Sequence, residues 1–239
     1  MIRTATATLA AALCLGAALP LSASAADPAM GGGTAAPEGG GTPVAGTGSI
    51  LRAARGALLG RWQRIGGTLA GAPTGLSLLI QRSDGRGGWV TVARAHTGRA
   101  GGFSTSWRPD RVGHQTLRAI PAAGAAAVRS AGAPPTAPTT VYASAMATEF
   151  GPGFFGRRAA CGALLQPGTI GVAHTQLPCG TLVEFYYRGR TIRAPVIDRG
   201  PYANGASWDL TTAAARALGF DGRSYVGSLV VGRVSLRRG

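Results

Sequence analysis

Residues 194–202 read Ala-Pro-Val-Ile-Asp-Arg-Gly-Pro-Tyr, and this stretch gives the clearest fold signal in the chain. Its first four residues form an apolar strand, and the glycine and proline after Asp198 turn the chain sharply. The carboxyl group of Asp198 is therefore expected to emerge where the strand leaves a hydrophobic core. The alternative is that Asp198 caps this turn or pairs with Arg199.

Short strands are also expected on both sides of this stretch. They lie at residues 142–148, 182–187, 191–196 and 228–236. Residues 187–190 are typical of a tight hairpin turn. One helix is predicted at residues 212–218, with Thr211 as its N-cap and Gly219 as its stop. Many short strands with one helix indicate a small closed β-barrel, because closure removes exposed sheet edges.

Residues 51–122 contain a second group of short apolar runs, separated by glycine-rich turns. The runs lie at residues 76–80, 89–92, 103–107 and 117–120. This pattern predicts a small β-sandwich, and it loosely resembles secreted immunoglobulin-like modules of bacteria. Its two acids, Asp84 and Asp110, both fall at turns, so we expect no catalytic constellation there. The expected fold class is all-β for both regions.

Composition predicts the remaining segments. Residues 1–25 read as a secretory signal, with Arg3 ahead of an apolar run too short to span a membrane and a small-x-small cleavage site at its end. Residues 26–50 are expected to be disordered, and residues 123–140 to form an Ala/Pro-rich linker. The second folded region would then be residues 141–239. We expect a secreted, cell-wall-located protein with no membrane span.

The formal net charge is +15, and all 24 basic residues are arginine. A strongly basic exported protein favours polyanionic partners, and export makes anionic wall polymers a better fit than nucleic acid. Residues 51–122 carry 11 arginines against 2 acids, so they are the better candidate for that contact. The alternative is that these arginines are only a solvated surface.

Two cysteines, Cys161 and Cys179, remain once the signal is removed together with Cys14. An even pair in an oxidising compartment predicts a disulfide. The alternatives are a reactive thiol or a metal site, although two cysteines without paired histidines suit a metal poorly. The sequence has no phosphate-binding loop and no metal cluster, so neither a cofactor nor a metal is expected.

Four motifs of the second folded region occur together and in order. Residues 147–156 read Ala-Thr-Glu-Phe-Gly-Pro-Gly-Phe-Phe-Gly, and residues 171–181 read Gly-Val-Ala-His-Thr-Gln-Leu-Pro-Cys-Gly-Thr. They resemble the opening and the central stretch of RlpA-like domains, the family of septal ring lytic transglycosylases. Residues 196–202 resemble the Asp-Arg-Gly-Pro motif, and residues 208–211 the Asp-Leu-Ser motif. The resemblance implies a six-stranded double-psi β-barrel for residues 141–239, a fold related to expansins and barwin-type domains.

The resemblance further implies a lytic transglycosylase that acts on peptidoglycan glycan strands. In such enzymes the O6 hydroxyl of N-acetylmuramic acid attacks its own anomeric carbon, which leaves a 1,6-anhydromuramyl end. A single positioned carboxyl group protonates the leaving oxygen. Burial or a neighbouring carboxylate must keep that acid protonated near neutral pH.

The family motifs imply catalytic roles for Asp198, Asp209 and His174. Asp209 stands at a strand end just before the helix, and it is free for catalysis if Thr211 caps that helix; otherwise Asp209 is the cap. His174 follows an apolar strand and is expected to face the groove, or else to be structural. If both carboxyl groups line one groove, each raises the pKa of the other.

Aromatic residues are the candidates for stacking on sugar rings. They fall into two pairs, Tyr202 with Trp208 and Phe154 with Phe155, and we expect one member of each pair to belong to the core. Arg199 is the candidate substrate-binding cation.

The chain departs from the family pattern at Ala163, where many RlpA proteins carry a glutamate. Three interpretations therefore stay open: a lytic transglycosylase, an expansin-like module that binds or loosens the wall without cleaving it, and a barwin-like inhibitor or interaction domain. The presence of Asp198, Asp209 and His174 together favours the first, and Ala163 favours the second. We expect the protein to be a monomer.

Overall fold

The computed structural model describes residues 48–122, 133–203 and 205–236, and within them it contains thirteen strands and one α-helix. The strands are β1 (Ile50–Arg52), β2 (Gly56–Leu58), β3 (Gln63–Thr68), β4 (Ser77–Ser83), β5 (Trp89–His96), β6 (Gly102–Trp107), β7 (Gly113–Pro121), β8 (Thr136–Phe150), β9 (Val172–Ala173), β10 (Thr181–Tyr187), β11 (Arg190–Asp198), β12 (Trp208–Thr211) and β13 (Ser224–Arg233). The helix is α1 (Thr212–Leu218), and Arg99–Gly101 form a short 3-10 turn. The predicted all-β class is confirmed.

Six strands close into a barrel in the second half of the chain. The ring runs β8, β13, β10, β11, β9 and β12, and parallel pairing of β12 with β8 closes it. Its core includes Val183 and Phe185 on β10, Val196 on β11 and Leu210 on β12, because alternate residues of each strand point inward. The predicted six-stranded barrel is confirmed.

The helix packs one face against this core. Thr211 caps it, since the Thr211 hydroxyl oxygen accepts a hydrogen bond from the Ala214 N–H. Ala214 and Leu218 are buried in the barrel core, and the helix ends at Gly219, whose φ of 70° suits a glycine. The predicted cap, span and stop all match, so the capping alternative for Asp209 is wrong.

Residues 50–121 and the first part of β8 build a two-sheet sandwich. One sheet has the order β1-β3-β6, and the other has β5-β4-β7-β8, with β2 also paired to β8. Ile65 and Trp107 of the first sheet share a core with Leu78, Ile80 and Leu117 of the second. The likeness to immunoglobulin modules stays a prediction.

Strand β8 belongs to both parts. Its first residues pair with β7 of the sandwich, and from Ala143 onward it pairs with β13 of the barrel. The linker predicted at residues 123–140 is therefore wrong for residues 136–140: although rich in Ala, Pro and Thr, this segment alternates, and Ala137 and Thr139 are buried inward. Residues 123–132 lie outside the described residues.

An aromatic and polar joint ties the sandwich to the barrel. The rings of Tyr142 on β8 and Tyr186 on β10 stack at 5.1 Å between centroids. Gly56 lies so close to Tyr186 that an added Cβ would be 2.5 Å from the ring. The Tyr142 hydroxyl donates to Glu184 at 2.8 Å, and Arg193 donates to the same carboxylate at 2.9 Å. These contacts join the two parts through side chains as well as through β8.

The predicted signal at residues 1–25 and residues 26–47 of the predicted disordered segment lie outside the described residues. Ile50, the last residue of that segment, already belongs to β1. Among the residues that the structure describes, no helix has the length and hydropathy needed to cross a bilayer.

Candidate active site

Asp198 and Asp209 lie on either side of one residue of the barrel wall. Asp198 of β11 and Asp209 of β12 both pair with Ala173 of β9, which lies between them. A register shift after Val196 gives Asp198 this partner, and bulges of this kind re-aim side chains. Two strand spacings separate the Cα atoms by about 10 Å. Because Val172 and Leu210, the next pair along, face the core, the Asp209 carboxyl group points outward.

Asp209 is half-buried, and its Oδ1 accepts a hydrogen bond from the Thr148 hydroxyl at 2.8 Å. Burial raises the pKa of Asp209, and the charges of Asp198 and Glu149 raise it further, while the Thr148 hydrogen bond lowers it. The sequence analysis expected burial or a neighbouring carboxylate to cause such a shift. Both raise the pKa of Asp209, and burial is the larger cause. Asp209 is thus a carboxyl group that holds its proton to a higher pH than usual.

Asp198 stabilises the turn that follows it through one carboxylate oxygen, Oδ1, while its other oxygen, Oδ2, stays open. Its Oδ1 accepts the backbone N–H groups of Ala160 at 2.8 Å and Arg199 at 2.9 Å. No hydrogen-bond donor of the described residues reaches its Oδ2. The turn-capping alternative is therefore correct for Oδ1. Pairing with the Arg199 guanidinium does not occur, because that group contacts other atoms.

His174 is held by the loop that follows it. Its Nδ1 accepts the backbone N–H groups of Gln176 at 3.1 Å and Leu177 at 3.0 Å, which assigns the ring proton to Nε2. Burial, and to a smaller degree the charge of Arg199, lower the pKa of His174. His174 is therefore a neutral imidazole that can offer an N–H group through Nε2.

Residues 142–229 match the family model described as "Lytic transglycolase". This part of the chain is an RlpA-like double-psi β-barrel. The RlpA-like barrel region is 40% identical over 76 residues to a Synechocystis sp. protein named "Probable endolytic peptidoglycan transglycosylase RlpA", covering 31% of this chain and 24% of that protein. An Aquifex aeolicus protein of the same name is 40% identical over 80 residues, covering 33% and 35%.

A Nostoc sp. protein with this name is 42% identical over 74 residues, covering 30% of this chain and 20% of its own. The chain therefore spans between a fifth and about a third of the length of the curated relatives it matches. Among solved structures, a Streptomyces papain inhibitor is 27% identical over 36% of this chain and 92% of its own, with a TM-score of only 0.28.

Trp208 of the RlpA-like barrel is a core residue. This confirms the expectation of one core member in the Tyr202–Trp208 pair, and the prediction that Trp208 itself binds substrate is wrong. It is 5% exposed and packs its ring 5.0 Å from Phe185, with the His174 ring 4.5 Å away on another side. The reason is the strand alternation in β12, which turns Trp208 inward and Asp209 outward. Trp208 therefore supports the His174 ring from within the barrel.

The other predicted aromatic contacts are exposed. Tyr202 is 81% exposed and Phe154 is 51% exposed, so both can reach a ligand. Phe155 is also exposed, so the expectation that one phenylalanine would be core is wrong. Arg199 is half-buried: it donates to the His174 carbonyl at 3.2 Å and contacts the Cys179 sulfur at 3.2 Å.

The predicted disulfide between Cys161 and Cys179 is present in the RlpA-like barrel. Sequence reasoning missed two groups that contact the aspartates, the Thr148 hydroxyl and the Ala160 N–H. Thr148 was detectable, since it lies in the opening motif one residue before Glu149. The Ala160 contact had no sequence signal, because a backbone group makes it.

Proposed function

We propose that the protein cleaves peptidoglycan glycan strands as a lytic transglycosylase and leaves 1,6-anhydromuramyl ends. One observation carries the proposal: a half-buried Asp209 with a raised pKa lies across a single strand from Asp198, on the outer face of the barrel. The names of the relatives support the same reaction class.

In the proposed reaction Asp209 is the general acid and then the base. Its carboxyl proton passes to the glycosidic oxygen as the bond from the muramyl anomeric carbon to that oxygen breaks. The muramyl O6 then bonds to the same carbon, and the O6 proton returns to the Asp209 carboxylate, which regenerates the acid. A general acid of this kind is worth about 10²- to 10⁴-fold in rate.

Asp198 and His174 have supporting roles in the proposed reaction. The open Oδ2 of Asp198 accepts a sugar hydroxyl or stabilises the positive charge that develops at the anomeric carbon. The Nε2–H of His174 donates a hydrogen bond to the glycan, since Nδ1 is occupied by the loop. Tyr202 and Phe154 supply exposed rings for the sugar faces.

We also propose that the protein is exported to the cell wall, where the basic sandwich contacts anionic wall polymers. Arg52 and Arg64 are exposed on the sheet formed by β1, β3 and β6, and neither has an acidic partner among the described residues. This support is electrostatic, so wall binding should weaken as salt rises.

The decisive experiment is digestion of purified peptidoglycan by the full chain, with mass spectrometry of the products. Anhydromuramyl ends that vanish in Asp209→Asn support the proposal. Reducing ends without the anhydro ring would identify a hydrolase instead. No new ends from a folded wild-type protein would overturn the proposed cleavage.

A second candidate is a non-catalytic, expansin-like module that binds the glycan and loosens the wall. Two features favour it: the chain departs at Ala163 from the motif pattern that it otherwise resembles, and one of the two Asp198 carboxylate oxygens accepts backbone N–H groups at a turn. In this case glycan binding persists in the digestion experiment while no bond is broken.

A further inference from the structure

The disulfide lies at the tip of a small hairpin next to Asp198. Residues 156–165 form this tip hairpin, in which the Gly156 N–H donates to the Leu165 carbonyl and the Leu165 N–H to the Arg157 carbonyl, both at 2.9 Å. The Ala159 N–H donates to the Ala163 carbonyl at 2.8 Å and closes the turn. Cys161 therefore lies in the turn of this hairpin, between Ala159 and Ala163.

Three bonds among the described residues tie this turn to the barrel. The Cys161 N–H donates to the Ile197 carbonyl at 3.0 Å, and the Ala160 N–H donates to Asp198 Oδ1 at 2.8 Å. The third is the disulfide from Cys161 to Cys179. Water competes for the two hydrogen bonds, because Ala160 is exposed and Cys161 only partly covered. The covalent bond is therefore the tie that holds the turn against Asp198.

The other end of the disulfide lies beside His174. Arg199 contacts the Cys179 sulfur at 3.2 Å, and the same guanidinium donates to the His174 carbonyl at 3.2 Å. The Gly180 N–H donates to the Val196 carbonyl at 2.8 Å, two residues before Asp198. The disulfide therefore joins the loop that follows His174 to the turn that contacts Asp198.

We propose that the Cys161–Cys179 disulfide and the Ala160 N–H are positioning groups for Asp198, so that a dithiol reductant switches the site off reversibly. The proposal rests on the proposed function of this site. On reduction the sulfur–sulfur bond breaks and each cysteine sulfur takes a proton. The two electrons come from the dithiol, which closes to its own cyclic disulfide.

Reduction releases the turn, and Asp198 Oδ1 loses one of its two backbone donors. The carboxylate is then held by the Arg199 N–H alone and leaves the orientation that keeps Oδ2 open toward the glycan. Misplacement of a reacting group by about 1 Å can cost about 100-fold in rate, so the expected loss in kcat is tenfold or more.

The test uses the full chain and two readouts, amide hydrogen exchange at Ala160 and release of anhydromuramyl ends. Treatment with dithiothreitol should speed exchange at Ala160 tenfold or more and lower kcat, and removal of the dithiol in air should restore both. The Cys161→Ser/Cys179→Ser double variant should behave like the reduced protein and ignore dithiothreitol.

Loss of the disulfide also lowers stability, so a matched control is needed. Val226→Ala truncates a buried side chain of β13, a strand that pairs with β8 and β10 and with neither β9 nor β11, and it should also lower the melting temperature. This variant should keep slow exchange at Ala160 and a normal kcat below its melting temperature. An equal rise in exchange in Val226→Ala would attribute the effect to general destabilisation and overturn the proposal.

The two readouts separate this inference from the proposed function. Unchanged Ala160 exchange on reduction overturns the positioning role, whether or not the protein cleaves glycan. Faster exchange at Ala160 on reduction, with no cleavage by the oxidised, reduced or variant protein, supports the positioning role and overturns the proposed transglycosylase activity. Faster exchange with an unaltered kcat shows that the turn moves without controlling Asp198, and that also overturns the proposal.

Discussion

The carboxylates of the sandwich and those of the barrel wall are used differently. In the sandwich, Asp84 accepts the backbone N–H groups of Arg86 and Gly88, and Asp110 accepts two hydrogen bonds from Arg82. These bonds lower the pKa of both acids. In the barrel, Asp209 has a raised pKa and no cationic partner among the described residues.

This difference separates Asp209 from the acids that hold structure. Asp198 is intermediate, because its Oδ1 accepts two backbone N–H groups while no donor of the described residues reaches its Oδ2. Acids that hold structure are paired or bonded to N–H groups, so they ionise easily. An acid that must give up a proton needs an environment that disfavours its charge, and Asp209 has one. Glu184 shows the rule within the barrel itself: Tyr142 and Arg193 both donate to it, and its pKa is lowered.

The largest expected effect comes from Asp209→Asn. This change removes the transferable proton, so release of anhydromuramyl ends should fall by about 100-fold or more. The unfolding free energy near neutral pH should not fall, because a carboxylate whose folded pKa is raised stabilises the fold only at low pH and loses that contribution as pH rises through the folded pKa. Asp84→Asn, in the sandwich, should cleave like the wild type.

Gly56→Ala should break the joint between the two regions. The new Cβ would lie 2.5 Å from the Tyr186 ring and push it away from Tyr142, at a cost of about 1–3 kcal/mol in unfolding free energy. Urea titration would measure the loss. Gly232→Ala on β13 is the control, because a Cβ there meets no atom within 4 Å. Equal stability of the two variants would mean that the joint contributes nothing.

Asp110→Ala should lower the unfolding free energy and leave the rate of glycan cleavage unchanged. The change leaves Arg82, which is 8% exposed, without its carboxylate partner. We expect the unfolding free energy to fall by about 1 kcal/mol, a modest loss because Asp110 itself is half exposed. Since the folded pKa of Asp110 is lowered, this contribution exists above its unfolded pKa and disappears as pH falls through the folded value. The exposed Arg94→Ala is the control, and a drop in cleavage by Asp110→Ala would contradict the division of roles.

The smallest effect is expected from Thr148→Val. The Thr148 hydroxyl bonds to Asp209 and lowers its pKa, so removing the hydroxyl raises that pKa. Asp209 then stays protonated to higher pH, so the alkaline limb of the pH–kcat/KM profile should shift to higher pH. Thr148→Ser keeps the hydroxyl and should leave the limb in place. A shift of the alkaline limb to lower pH in Thr148→Val would show that Asp209 is not the group that titrates.

Local sequence signals predicted the parts of the fold that depend on local chemistry. Thr211 and Gly219 bound the helix as expected, and the cysteines formed the expected pair. The placement of Asp198 and Asp209 on either side of Ala173 was not predictable, because it depends on a register shift between distant strands. The substrate-binding role predicted for Trp208 was wrong, because strand alternation in β12 turns its ring into the core and Asp209 outward.

The continuity of β8 sets limits on how this chain can be divided. A fragment that ends at residue 122 would lose the strand that pairs with β7, so it would expose a bare sheet edge and tend to aggregate. A single residue inserted near Ala143 would also turn every later side chain of β8 to the opposite face, carrying Thr148 away from Asp209. The spacing between the two regions is therefore as constrained as the residues of either.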